Sequence, residues 1–233
     1  MTRAKAWVSW SSGKDSAWAL HEVRRRGELE VTALLTTVNA THSRVAMHAV
    51  RESVLEAQAV AAGLPLVKVA IPSPCPNEAY EAAMREAMAR ARAECVTHMV
   101  FGDLFLEDVR RYREEKMAGT GIAPVFPLWG RDTAELAREM IAAGMQAVLT
   151  CVDPGKLPRA FAGRSFDAAL LADLPAGVDP CGENGEFHTC AVAGPMFAAS
   201  LDVATGETVE RDGFVFTDVL LRDKTLRAAA PSD

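Results

Sequence analysis

Two periodicities alternate along the chain. Short apolar runs, suited to buried strands, are separated by stretches where apolar residues recur three or four apart, the spacing of one helix face. The first run, about 6–10, predicts a strand. A helix follows over about 16–26, with Ala17, Leu20 and Val23 on one side. Further strands are predicted at 31–37, 66–70, 97–101 and 122–128, and a sixth at 145–151. One intervening helix carries Val50, Val54, Ala57 and Ala61 on a single face and stops at Gly63-Leu64-Pro65. Another has Asn77 as its N-cap candidate and turns Tyr80, Met84, Ala87, Met88, Ala91 and Cys95 inward, its methionines read as core filler. A charged helix is predicted over 107–118. Asp132-Thr133-Ala134-Glu135 has the form of a capping box opening a helix that runs to Ala143. Such alternation implies an α/β fold: a doubly wound, mainly parallel sheet with right-handed crossovers and helices on both faces.

After Cys151 the pattern changes. A short helix at 166–174 precedes a loop-rich stretch, 175–189, and then apolar, turn-rich segments at 190–192, 196–203 and 213–221. These predict a smaller C-terminal α+β lobe. The expected organisation is 1–128, 129–225 and a flexible tail at 226–233, with a soft boundary near 128–131.

Composition narrows the function classes. The 233 residues are 49% hydrophobic and 24% charged, as in an ordinary globular protein with a sizeable core. The net charge of -6 makes nucleic acid an unlikely partner. Arg24-Arg25-Arg26 falls at a predicted helix end, where cations suit the dipole. The five cysteines contain no C-x-x-C pair. An odd count without a signal peptide points to the reducing cytoplasm. No apolar run approaches the roughly 18 residues of a membrane span.

The first strand runs into Ser11-Ser12-Gly13-Lys14-Asp15-Ser16, immediately before a helix. Small residues let backbone N–H groups converge on one point, and the helix N-terminus adds partial positive charge there. Lys14 supplies a full charge, the serines supply hydroxyls, and Asp15 can hold a magnesium ion that bridges phosphates. The six residues therefore form a candidate ATP phosphate site. The string fails the Walker A pattern at two positions, Asp15 after the lysine and Val8 at the first glycine, and it is not G-x-G-x-x-G. Helix capping would explain one serine but not the whole string.

This string resembles the S-G-G-K-D-S PP-loop of the N-type ATP pyrophosphatase superfamily, with Ser12 where the motif usually has its first glycine. A positive φ there would cost more than with glycine. Other segments add to the likeness: Thr36-Thr37-Val38-Asn39, Ala46-Met47-His48, Gly102-Asp103 with Tyr112-Arg113, Pro127-Leu128-Trp129-Gly130-Arg131-Asp132, and the run from Asp179 to Thr189, which contains Gly182-Glu183-Asn184-Gly185-Glu186-Phe187-His188. Together they resemble the diphthine–ammonia ligase family over nearly the whole chain, and the Ala- and Arg-rich composition suggests a bacterial relative.

The resemblance implies a HUP/PP-loop ATPase-type sheet and a substrate lobe enclosing a cleft. ATP would adenylate a substrate carboxylate and release pyrophosphate, and ammonia would then displace AMP to give an amide. Lys14 and magnesium would stabilise the leaving pyrophosphate, with Asp15 as the metal ligand. Thr37, Asn39, Gly102 and Asp103 would hold adenine and ribose. Glu183 and Glu186 could bind magnesium, orient ammonia or take its proton; a solvated turn with surface acids explains the same spacing. His188 is a second proton-transfer candidate, and His48 could equally cap a helix. Cys181 reads as an inert thiol. Trp129 and Arg131 either meet the substrate or lock the lobes together. The carboxylate, small or protein-borne, stays open, as does a homo-oligomer. Two other readings remain: a tRNA sulfur transferase, which would need catalytic cysteines and a basic surface, and a non-catalytic ATP- or AMP-binding module.

Overall fold

The computed structural model of the chain describes residues 2–39, 44–45, 50–72 and 74–222, apart from the side chains at 39, 44 and 45. The Asn39 side chain, the Ala46-Met47-His48 segment and the 226–233 tail lie outside the described residues.

Among the described residues, ten strands and six α-helices are arranged in two layers. The first layer holds β1 (Ala4–Ser9), α1 (Lys14–Arg26), β2 (Leu29–Asn39), β3 (Arg44–Val45), α2 (Glu52–Ala62), β4 (Leu66–Ile71), α3 (Asn77–Ala93), β5 (Val96–Val100), α4 (Glu107–Met117) and β6 (Ala123–Val125). The second holds α5 (Thr133–Ala142), β7 (Gln146–Val152), α6 (Ala168–Asp173), β8 (Phe187–Ala193), β9 (Val203–Arg211) and β10 (Phe214–Leu221). In the first sheet the parallel strands run β4-β2-β1-β5-β6, and β3 pairs antiparallel with the end of β2. The second sheet is antiparallel, in the order β8-β7-β10-β9. The chain leaves β1 in one direction to form β2 and returns on its other side as β5. Crevices that bind ligands open beyond the carboxyl ends of strands at such a reversal.

Both faces of the first sheet are covered, which is why its strands read as near-continuous apolar runs. Trp7, Leu35, Val69, Met99 and Phe101 pack with Ala87 and Met88 of α3 and Met117 of α4. On the other face Ala6, Val8, Trp10 and Leu34 pack with α1 and α2. That core continues without a break into Leu149, Phe166, Phe187, Cys190 and Val215 of the second layer. Each fully buried leucine contributes roughly 2 kcal/mol.

Departures from the pattern have local causes. The strand expected at 122–128 is only three residues long, at the sheet edge. Pro124 and Pro127 lack donors for a longer ladder. On α2 the buried face is Val54, Leu55, Gln58, Ala59 and Ala62, rotated from the expected one because a polar residue, Gln58, faces inward. Helix α3 starts at Asn77, so the cap position falls to Pro76. Cys95 lies past its end, exposed, at φ 63°. The apolar segment at 196–203 is not a strand. The strand is β9, an exposed edge whose polar sequence hid it. Asp132 is the N-cap of α5, its carboxylate accepting from Glu135 N at 2.8 Å.

The arginine triplet is structural. Arg24 donates to the carbonyls of Ala62 (2.7 Å) and Met196 (3.1 Å), Arg25 pairs with buried Glu22 (2.9 Å), and Arg26 donates to the Pro127 carbonyl (2.7 Å). Among the described residues no helix is long and apolar enough to cross a membrane.

Candidate functional site

The turn after β1 lies at the strand-order reversal. Ser12 occupies the left-handed region at φ 68°, which costs a non-glycine residue about 1 kcal/mol. Its carbonyl is pinned by two donors, Gln58 Nε2 and Ala191 N, each at 2.9 Å. Ser11 Oγ accepts from Gly13 N (3.3 Å) and lies 3.1 Å from Ser16 Oγ. Ser16 Oγ donates to the Gly13 carbonyl at 3.0 Å. Lys14 N donates to Thr189 Oγ1 of β8 at 3.1 Å. Gly13 is the N-cap of α1 and carries no capping side chain; Thr189 takes the first helical N–H instead, and the positive end of the helix dipole stays directed at this corner. Gly102, at the end of β5, sits directly against this helix. A Cβ there would lie 2.7 Å from the Asp15 carbonyl carbon and 2.8 Å from Ser16 N. No other residue lets β5 approach so closely.

Lys14 points into the second layer. It is 2% exposed, and its ammonium donates to Asp15 Oδ2 (2.9 Å) and to the Cys181 carbonyl. It also lies 5.5 Å and 5.4 Å from the Phe166 and Phe187 ring centres. Burial alone would lower its pKa; the negative charge of Asp15, with Cys181 and Glu183, outweighs burial and holds it raised. Burial likewise raises Asp15, against the lowering effect of Lys14. The second carboxylate oxygen of Asp15 is buried and has no hydrogen-bond partner among the described residues.

The 179–189 segment closes over this lysine. Asp179 Oδ2 accepts from Cys181 N (3.1 Å) and Glu183 N (2.9 Å), and Asp179 Oδ1 accepts from Thr133 at the start of α5. Gly182, at φ 71°, takes a turn in which a Cβ would meet the Phe187 carbonyl at 2.8 Å. Glu186 is 3% exposed and accepts from Asp179 N (3.0 Å) and Asn184 Nδ2 (3.2 Å). The two acids thus differ: Glu186 shapes the segment from within, whereas Glu183 reaches across to accept from Leu104 N, beyond β5, at 2.8 Å. Burial, with Asp15 and Asp103 nearby, pushes Glu183 up to about 7. His188 moves the other way. Burial, with Lys14 and Lys156, lowers it to about 4, so it is neutral at pH 7 and poorly matched to proton exchange there. Burial also raises the Cys181 thiol, which leaves it inert.

A cavity of about 630 Å³ opens beyond the carboxyl ends of β1, β2 and β5, between α3 and α4. Ser9, Ser11 and Thr37 line its floor, Met88 and Phe101 its wall, and Arg113 its rim. The Arg113 guanidinium lies 4.9 Å from the Phe101 ring centre and 3.5 Å from Asp103, with its Nε and Asp103 Oδ2 both lacking hydrogen-bond partners. The size and mixed lining suit a nucleoside.

The structure therefore brings Ser11, Ser12, Gly13, Lys14, Asp15, Ser16, Gly102, Asp103, Glu183, Glu186 and His188 around one junction, with Thr37 in the adjoining cavity. Trp129 and Arg131 are engaged elsewhere: Trp129 stacks under Arg110 (4.7 Å) and Arg131 pairs with Glu139. Gln58, Asp179 and Thr189 were not anticipated as organisers of the site. A glutamine on an apolar helix face was the one available signal for Gln58; spacing gave none for the other two.

Comparison with known proteins accounts for both layers. A family model described as the diphthamide synthase N-terminal domain matches residues 4–122, and one described as the diphthamide synthase C-terminal domain matches residues 132–220. The diphthine–ammonia ligase of Danio rerio is 34% identical over 134 residues, 52% of this chain and 52% of that protein. Those of Rattus norvegicus and Homo sapiens are each 32% identical over 120 residues, 49% of this chain and 45% of theirs. The chain spans about half the length of the curated relatives it matches. With the first family model covering the 11–16 turn and parallel sheet, and the second the Asp179–Thr189 segment and antiparallel sheet, the chain belongs to the diphthamide synthase family.

Proposed function

We propose that the chain is an ATP-dependent carboxylate–ammonia ligase of the diphthine–ammonia ligase type, working in the cytoplasm. A substrate carboxylate oxygen attacks the α-phosphorus of ATP and pyrophosphate leaves. Ammonia then attacks the acyl carbon of the mixed anhydride and AMP leaves with the C–O bond electrons. The observation that carries this reading is the junction itself: a serine- and glycine-lined turn at a helix N-terminus, beside a nucleoside-sized cavity and near a carboxyl group with a pKa of about 7.

In this reading the N–H groups and hydroxyls of 11–16 hold the polyphosphate, and Thr37, Asn39, Gly102 and Asp103 surround the nucleoside. Residues 1–128 bind ATP and 129–225 the acyl substrate. Lys14, at the join, offsets negative charge on the reacting groups. Glu183 takes the proton that ammonium must lose before it can attack, a task suited to a base near neutral pH. Glu186 and Asp179 position it. The unpartnered oxygen of Asp15 suits magnesium, which takes one or two carboxylates and completes its shell with phosphate oxygens and water. When bound, that ion supplies charge neutralisation to the phosphates. The buried thiols at 151 and 190, raised to about 11 and about 12, give the sulfur-transfer alternative no support.

A pyrophosphate-release assay tests the reading. Candidate acids, including diphthine on its protein and small metabolite carboxylates, are supplied with ATP, magnesium and ammonium. One acid should trigger stoichiometric AMP, pyrophosphate and amide. Glu183→Gln should keep acid-dependent pyrophosphate exchange into ATP and lose amide formation. ATP binding with no acid-dependent pyrophosphate release would leave only a nucleotide-binding module.

A further inference from the structure

We infer that Gln58 is a positioning residue for the phosphate-binding turn, holding Ser12 in its left-handed conformation and thereby setting the direction of the Gly13 N–H. The inference rests on the reading of that turn as a phosphate site. Gln58 is fully buried on α2 among valine, leucine and alanine, where an apolar side chain would pack equally well. Burying an amide is unfavourable unless its groups are paired. Here they are paired with three different segments. Nε2 donates to the Ser12 carbonyl (2.9 Å) and the Ala191 carbonyl (2.7 Å), and Oε1 accepts from Trp10 Nε1 at 2.9 Å. The end of β1, the turn and β8 thus meet at one side chain.

A trans peptide is planar, and its C=O and N–H point in opposite directions. Drawing the Ser12 carbonyl toward Gln58 and Ala191 N therefore turns the Gly13 N–H the other way, onto Ser11 Oγ at the start of α1. A glycine at position 12 would adopt this conformation without steric cost; a serine must be held there. Gln58 supplies that hold in a chain whose turn has serine at this left-handed position.

The test is a double-mutant cycle. In full-length protein, Gln58→Met keeps the volume and removes the amide, and Ser12→Gly removes the need for it. ATP affinity, measured by calorimetry, should fall at least tenfold in Gln58→Met but no more than threefold when Ser12→Gly is also present. Amide exchange of the 9–18 peptide without nucleotide should follow the same order, faster in Gln58→Met than in the double variant. A packing role for Gln58 predicts equal losses with serine or glycine at position 12, and that result would overturn the inference. Should Gln58→Met fail to fold, Gln58→Leu also removes the amide without burying a charge or a new donor, and is read by the same criteria. Exchange in the expected order without ATP binding to wild type would leave the hold on Ser12 standing and remove the nucleotide reading instead.

Discussion

Replacing Glu183 by glutamine should make the protein more stable above pH 7 while removing the amide-forming step proposed for it. Burial, with Asp15 and Asp103, raises this carboxyl from 4.5 to about 7, against the Leu104 N–H and Lys14, which favour the charged form. Because the folded pKa is the higher one, the folded state binds the proton more tightly. The contribution of Glu183 to stability is fully present below pH 4.5, is lost as pH rises, and is gone above about 7. The shift of about 2.5 units, at 1.36 kcal/mol each, corresponds to about 3 kcal/mol, reduced toward about 2 by the solvent that reaches a half-buried group. Glutamine can still accept from Leu104 N and carries no charge to desolvate. Urea unfolding of both proteins at pH 4, 5, 6, 7 and 8 reads the effect of Glu183 together with the groups coupled to it, since every uncoupled titrating group cancels in the difference. The stability of the variant relative to wild type should climb through pH 5 to 7 and level off by pH 8. Over the same range the wild-type amide-forming rate should rise to a plateau above about pH 7. A difference that stays flat with pH would refute the account of Glu183.

Three further outcomes follow from the geometry. Ser12→Gly, which removes a left-handed serine with an unpartnered buried hydroxyl, should be neutral or stabilising by up to about 1 kcal/mol, read from the urea midpoint. Gly102→Ala, which puts a Cβ 2.7 Å from the α1 backbone, should cost about 2–3 kcal/mol in the same assay and weaken ATP binding, while Gly144→Ala, with open space around its Cβ site, should leave binding unchanged. A thiol reagent at pH 8 should modify Cys75 and Cys95 in the folded protein and reach Cys151, Cys181 and Cys190 only on unfolding, as mass spectrometry of the labelled peptides would show.

The parallel sheet was legible because buried strands and amphipathic helices differ in period, and Gly63 and Asp132 mark helix ends chemically. The candidate phosphate turn could be picked out because its six residues are adjacent in sequence. What stayed hidden depends on contacts between distant segments. Glu183 and Glu186 are three residues apart and alike in sequence; only the fold sends one to Leu104 N and the other inward to Asp179 N. His188 has the ordinary pKa for proton transfer until burial and Lys14 depress it. Strand β9 escaped notice because an edge strand needs no apolar alternation when one side meets only β10 and the rest meets water.

The attachment of β8 to the phosphate turn has an evolutionary corollary. Ala191 and Thr189 touch the turn through a main-chain N–H and a hydroxyl, so the half of the chain that would select the acyl group is also a splint for the half that would bind nucleotide. Homologues that diverge in substrate are then free to remodel the connections around β7 and β10, but a transplanted C-terminal half would function only if its β8 backbone kept the same register against the turn.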